Sequence, residues 1–288
     1  MRLAQFLIVT FLFSGFVFAE FDQEETFIPN YAAGSVHWLW AETADFDGGR
    51  EGSLDFLEAG ISAPIPLIMT EDFRIVTGLR YRWNQLSLDG FDPIGDELDL
   101  HRVQIPINIW KTGQNGWKYW LRVEPGISSD FEKITGDDVT VSALGLASYQ
   151  WKEDLRIALG GYFSRDLGEA RLLPAIGLIW EPNQHWVLSI TAPRLYASYA
   201  PVEGTLFTAF AYPSGGGWNI EDPTTGEERD LDYQAVQIGL GLDQALFGPL
   251  WAYIEGGYQV AQELELEGGS EVDLENSWWA GAGLRLRF

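Results

Sequence analysis

Seven arginines, Arg74, Arg80, Arg82, Arg122, Arg156, Arg285 and Arg287, fall in stretches where every second residue is apolar, and each takes the polar beat. Glu58, Glu124 and Glu255 are available in similar stretches as partners. Guanidinium groups pair with carboxylates through two parallel hydrogen bonds, and an unpaired charge in a narrow, poorly hydrated space is costly. Two arrangements follow, and both stay open. Arginines that outnumber their partners at a constriction form an electropositive eyelet for anionic solutes, beneath an acidic vestibule. Arginines that pair completely close the space with salt bridges and leave a structural platform.

Other chemistry is thin. There are three histidines, His37, His101 and His185. His101 follows Asp99 in DLDLH, but no serine stands nearby to act as a nucleophile, so catalysis is the weakest reading and the chain is expected not to be an enzyme. His185 sits in a short turn beside Trp186, where an interfacial role is the natural expectation. Asp45, Asp47 and Glu51, with Asp89, Asp92, Asp96 and Glu97 further on, offer oxygen ligands that suit Ca²⁺ or Mg²⁺. Their spacing matches no complete calcium loop, and a solvated acidic surface is the simpler account. No cysteine is present, which excludes disulfides, thiolate metal sites and thiol nucleophiles. A formal net charge of -24 excludes a basic nucleic-acid footprint. No cofactor is implied.

The elements that position these residues read as strands. In Trp117 to Ile127, the residues Trp117, Tyr119, Leu121 and Val123 share one face while Lys118, Trp120, Arg122 and Glu124 share the other. The same split recurs in 73–83, 103–109, 155–163 and 234–242. A soluble sandwich alternates too, so three further features decide what lies outside. The polar beat carries Arg and Gln beside many glycines. Tryptophans flank the short turns, at Trp110 and Trp117, at Trp151, at Trp180 and Trp186, and at Trp251, as in an interfacial girdle. Short connections alternate with long acidic ones, at 45–52, 89–99, 220–230 and 263–275. Residues 1–19 have the layout of a cleavable export signal, with Arg2, a run from Leu7 to Phe13 and a cleavage site near Ala19. That run is too short to cross roughly 30 Å of hydrocarbon comfortably. Residues 20–30 would then form a short periplasmic segment and 31–288 a single barrel domain.

The final segment, Trp278 to Phe288, places Trp278, Ala280, Ala282, Leu284, Leu286 and Phe288 on one face and Gly281, Gly283, Arg285 and Arg287 on the other. Through Gly283, Leu286 and the terminal Phe288 it resembles bacterial outer-membrane β-barrel proteins, whose closing strand carries such a pattern for the insertion machinery. Leu286 stands where many members have an aromatic. The chain is also similar to an uncharacterised barrel family, of the domain-of-unknown-function kind. The resemblance implies an all-β, closed antiparallel transmembrane barrel in the bacterial outer membrane. Its partners would be lipid, lipopolysaccharide and the assembly machinery, with divalent cations at the loops. An even strand count is required. Eight strands fit before Trp180 and three after Leu231. One or three lie between, with Pro193 and Pro201 as turn candidates, giving 12 or, preferably, 14. Passive passage of small polar solutes is the leading expectation. A non-conducting platform with cation-binding loops is the alternative, and a carrier for apolar molecules comes third because no N-terminal hatch is visible.

Overall fold

The computed structural model describes residues 27–29, 32–91, 94–164, 171–191, 194–222, 225–269 and 271–287. Residues 1–19, expected to be an export signal, most of the expected periplasmic segment 20–30 and the terminal Phe288 lie outside the described residues. Sixteen strand segments follow one another. They are β1 (Ala32–Asp45), β2 (Ser53–Met69), β3 (Phe73–Asp89), β4 (Glu97–Gln104), β5 (Ile107–Thr112), β6 (Trp117–Ser129), β7 (Val139–Lys152) and β8 (Leu155–Ser164). Then come β9 (Arg171–Asn183), β10 (Trp186–Thr191), β11 (Arg194–Val202), β12 (Thr205–Glu221), β13 (Glu228–Phe247), β14 (Leu250–Leu266), β15 (Glu271–Leu274) and β16 (Ser277–Arg287).

Strands adjacent along the chain pair antiparallel, except β4 with β5 and β15 with β16, and β1 pairs with β16 to close the ring. Segments β4 and β5 occupy one place between β3 and β6, interrupted at Ile105 and Pro106. β15 extends the line of β16 alongside β14. The ring therefore has 14 members, the higher of the two expected counts, because three strands rather than one fit between Trp186 and Glu221. Pro201 is the next-to-last residue of β11, at the register shift between Tyr199 and Val202 that leads into the turn at 203–204, and Pro193 lies outside the described residues. Closure by the β1–β16 pair removes the two terminal sheet edges, the condition for a β-structure in lipid, and among the described residues leaves unpaired strand only above the short β10–β11 hairpin.

Side-chain chemistry follows the pleat. On the outer face stand Val36, Trp38, Ile61, Leu79, Leu121, Leu159, Ile176, Leu240 and Leu284, all exposed. The alternate positions point into the bore, and this is the phase expected from the alternation. Towards the end carrying the longest strands, here the crown, the two faces exchange chemistry without any change of phase. In β3, Arg80, Arg82 and Asn84 face inward below, then Leu86 and Leu88 above; Leu79, Tyr81 and Trp83 face outward below, then Gln85 and Ser87 above. β2 switches at Glu58 to Phe56 and Leu54, β4 at Arg102 to Leu100, and β13 at Gln237 to Ala235, Tyr233 and Leu231.

The inward apolar residues of the crown form one core, with Leu86, Leu100, Leu231, Tyr233 and Leu264 wholly buried. Opposite walls touch: the rings of Phe56 on β2 and Tyr233 on β13 lie 5.2 Å apart between centroids. A band below whose apolar face turns outward sits in lipid, and a crown whose apolar face turns inward stands in water. Of the long acidic connections expected, those at 45–52 and 89–99 are loops over most of their described residues, while strand reaches into the other two. The stretch 263–275 is mostly strand, with Glu263 and Glu265 outside and Leu264 and Leu266 inside, and 220–230 is strand at 220–221 and 228–230.

The wall is uneven. β10 has six residues and β11 nine, against 17 in β12 and 20 in β13. Above this low side, β12 leans across the bore and meets β6 in a parallel bridge, Asn219 against Ser129. The run Pro213-Ser214-Gly215-Gly216-Gly217 makes the lean possible. Gly215 has φ +107, and a Cβ there would fall 2.0 Å from the Tyr233 carbonyl oxygen.

Candidate lumen site

Below the crown, charged side chains line the bore in three groups. On β1, β2 and β3, Glu58 accepts from His37 Nε2 at 2.9 Å and from Asn84 Nδ2 at 2.8 Å, with Arg82 Nη1 at 3.8 Å. Gly60 lies directly opposite His37 and leaves room for its ring, since a Cβ there would come within 2.3 Å of it. On β3 and β6, Glu124 accepts from Arg80 Nη1 at 3.0 Å and Arg122 Nη2 at 2.5 Å. On β13, β14 and β16, Asp243 lies 3.0 Å from Arg285 Nε and accepts from Arg287 at 3.0 Å, and Arg285 reaches Glu255 at 3.7 Å. Arg285 also lies over Tyr253, its guanidinium carbon 3.4 Å from the ring centroid.

Five of the seven arginines expected in the lumen thus share four carboxylates, with all three expected glutamates among them. Arg156 does not join: near the turn end it donates to Gln150 Oε1 instead. Arg74 stands towards the same end, in register with Trp110. Arg194 on β11 adds a further cation, its guanidinium 5.6 Å from the Tyr212 ring and within electrostatic reach of Arg122 and Glu124. Nε of Arg82 and Nε of Arg122 are shielded from solvent without an acceptor. The belt lies between the two expected extremes: its carboxylates are all engaged, yet guanidinium groups outnumber them.

Sequence reasoning passed over His37, Asp243, Arg102 and Arg194. His37 and Asp243 sit on the polar beat of their strands, between Val36 and Trp38 and after Leu242, so the alternation held the signal. Arg102 is different. It is buried at the base of the crown, with Nε donating to Ser128 Oγ at 3.1 Å and Nη2 to the Gly217 carbonyl at 2.8 Å, and it faces Trp218. It fastens β4 and β6 to β12 and reports a tertiary crossing that no local pattern encodes.

The other sequence candidates are dispersed. His101 points outward, bonded to the Tyr81 hydroxyl at 2.9 Å and stacked on Phe131, not towards the bore. His185 bonds the Ala200 carbonyl through Nδ1 at 2.8 Å, within the turn beside Trp186. Asp45 ends β1, Asp47 lies in a 3-10 turn (Asp47–Gly49), and Glu51 follows; among the described residues no group of three acidic or histidine ligands assembles. At the crown, Lys133 in the 130–138 connection pairs with Glu228 at 3.1 Å, and that hydrogen bond and charge hold its ammonium pKa above the ordinary lysine value. Gly283 and Leu286 lie in β16, facing the bore and the outside respectively.

A family model built on a domain of unknown function, DUF6268, matches residues 23–272. The chain belongs to this family. No curated protein matches it. Among solved structures, the DUF6268 chain is similar to the COG4313 outer membrane channel from Pseudomonas putida F1, with TM-score 0.52 and 11% identity, covering 93% of this chain and all of that one. A TodX monoaromatic hydrocarbon channel mutant gives TM-score 0.47 at 10% identity over 88% of this chain and 89% of that one. A KdgM porin gives 0.35 at 9% over 88% and 99%. At these identities the likeness concerns the fold alone, a β-barrel in the case of the COG4313 channel.

Proposed function

We propose that the chain is a passive, non-enzymatic channel of the bacterial outer membrane for small polar solutes, exported through residues 1–19 and favouring anions. The observation that carries this reading is the belt itself: a ring of charged side chains with guanidinium groups in excess, enclosed by a wall whose outer face is apolar. Cations fixed in a confined, partly hydrated bore lower the barrier for anions. The crown would face outward, where its acidic exterior meets lipopolysaccharide and bound divalent cations temper the repulsion. Gly283, Leu286 and Phe288 would serve recognition by the assembly machinery.

A second reading, a non-conducting platform, is favoured by one observation, the packed core of the crown, which fills the axial exit. Planar bilayers separate the two. Purified protein is expected to give discrete current steps with anion preference under a salt gradient. Arg80→Ala or Arg122→Ala is expected to move the reversal potential towards cations. A silent bilayer at saturating protein favours the platform.

A further inference from the structure

The crown closes the axial route, so the shape of the low wall decides what reaches the belt. β10 pairs with β9 only up to Thr191 opposite Gly177, and β11 pairs with β12 only up to Leu195 opposite Ala211. Beyond those points, residues 171–176 of β9 and 212–218 of β12 have no strand partner on the facing edges among the described residues. Six residues of tilted strand rise about 15 Å, whereas the apolar band of a membrane barrel stands about 25 Å tall. The lower part of the gap therefore lies at the depth of lipid, not of water. Its lips agree: Leu172 and Ile176 on β9 are 76% and 61% exposed, and Pro174 and Pro213, which cannot donate to a ladder, occupy the two free edges. Behind the gap stand Arg194, Tyr212 and the group of Arg80, Arg122 and Glu124, where three guanidiniums face one carboxylate.

We infer that this gap is a lateral portal between the bore and the outer leaflet, and that Arg122 and Arg194 seat the anionic head of a single-chain carboxylate amphiphile whose tail stays among Leu172, Leu173 and Ile176. The inference goes beyond the proposed channel reading: it shares the guanidinium excess of the belt but takes an amphiphile from the lipid rather than a small polar solute from water. Two features of the site support it together. A guanidinium excess binds a carboxylate through charge-assisted bonds. A lip of aliphatic residues beside it gives an attached chain a place that a free small anion would not need. Passage from lipid to belt then requires no opening of the crown.

The test uses the full chain in phosphatidylcholine nanodiscs, with empty discs as background. Radiolabelled oleate is expected to bind saturably, oleyl alcohol at least about tenfold more weakly, and acetate not to compete at millimolar concentration. Arg194→Gln and Arg122→Gln are each expected to weaken oleate by about tenfold or more, with Arg194→Lys restoring part of the loss. Because the chain has no cysteine, Ser214→Cys on the β12 lip supplies a single thiol. It is expected to react with N-hexadecylmaleimide dissolved in the bilayer and to be protected by oleate. Equal binding of oleate and oleyl alcohol, or indifference to both arginine substitutions, overturns the seat. Reaction of the thiol with water-soluble maleimide but not with the alkyl reagent overturns the portal. Conductance is recorded on the same preparations. Anion-selective current without charge-dependent oleate binding leaves the channel reading standing and removes this one, whereas oleate binding in a silent barrel does the reverse.

Discussion

Leu121 and Leu159 show how one side chain reports the phase of a whole wall. Both are exposed and both point away from the bore, on β6 and β8 respectively. A charge introduced there has no water to hydrate it and no partner within reach, whereas Arg122, one position along, is held by Glu124 at 2.5 Å. Leu121→Arg and Leu159→Arg are each expected to cost about 2 to 4 kcal/mol if they lie at the midplane, less nearer the interfaces. Urea titration of folding into vesicles measures this, and unchanged midpoints for both variants would contradict the assignment of the lipid face. The same beat made the grouping of these side chains legible in advance: Glu58, Arg80, Arg82, Arg122, Glu124, Glu255, Arg285 and Arg287 all take the polar position of their strands, and in the structure they form ion pairs within that face. It carried no information on which cations would find which carboxylates. That Asp243 serves both Arg285 and Arg287 depends on the closing register of β13, β14 and β16, which pairs residues tens of positions apart.

At the level of elements, the crown is where local reading met its limit. A stretch such as ELELE alternates as cleanly as any membrane strand, but its acidic content and flanking glycines suggest a solvated loop. The resolving fact is that β14 continues upward beside β13, so Leu264 and Leu266 find a core while Glu263 and Glu265 find water. Sequence periodicity identifies a strand with two unlike faces, and only the medium on each side says which face is which. The consequence is separable stability. Leu86 is fully buried in the crown, so Leu86→Ala is expected to cost about 2 to 5 kcal/mol through lost contacts and a residual cavity. The expected loss is local to the part standing in water. Amide exchange should accelerate in the upper halves of β2, β3 and β13 while the lower ring stays protected. Uniform acceleration from crown to turn end would mean that the two parts form one cooperative unit.

For the whole molecule, the decisive relation is between a ring of 14 strands below and a narrower crown above, fastened where β12 crosses to β6. The clasp is specific: the Ser128 hydroxyl donates to the Gly217 carbonyl at 2.6 Å, Arg102 donates to the same carbonyl, and the Glu221 amide donates to Asp130 at 2.9 Å. If solutes left through the crown, this clasp would have to open during each passage. If they leave beside the low wall, it never moves. Ser129 and Asn219 are register partners, and neighbouring strands lie about 4.8 Å apart, within the Cα range that a disulfide spans. The double variant Ser129→Cys with Asn219→Cys, in a chain with no other cysteine, locks the clasp on oxidation. Conductance and anion preference are expected to stay within about twofold on oxidation, and reduction should change nothing further, because the cations proposed to set selectivity lie below the crossing. Current that disappears on oxidation and returns with reductant would place the permeation path through the crown and require its core to part, against the packing of Phe56 on Tyr233 and of Phe210 on Trp279.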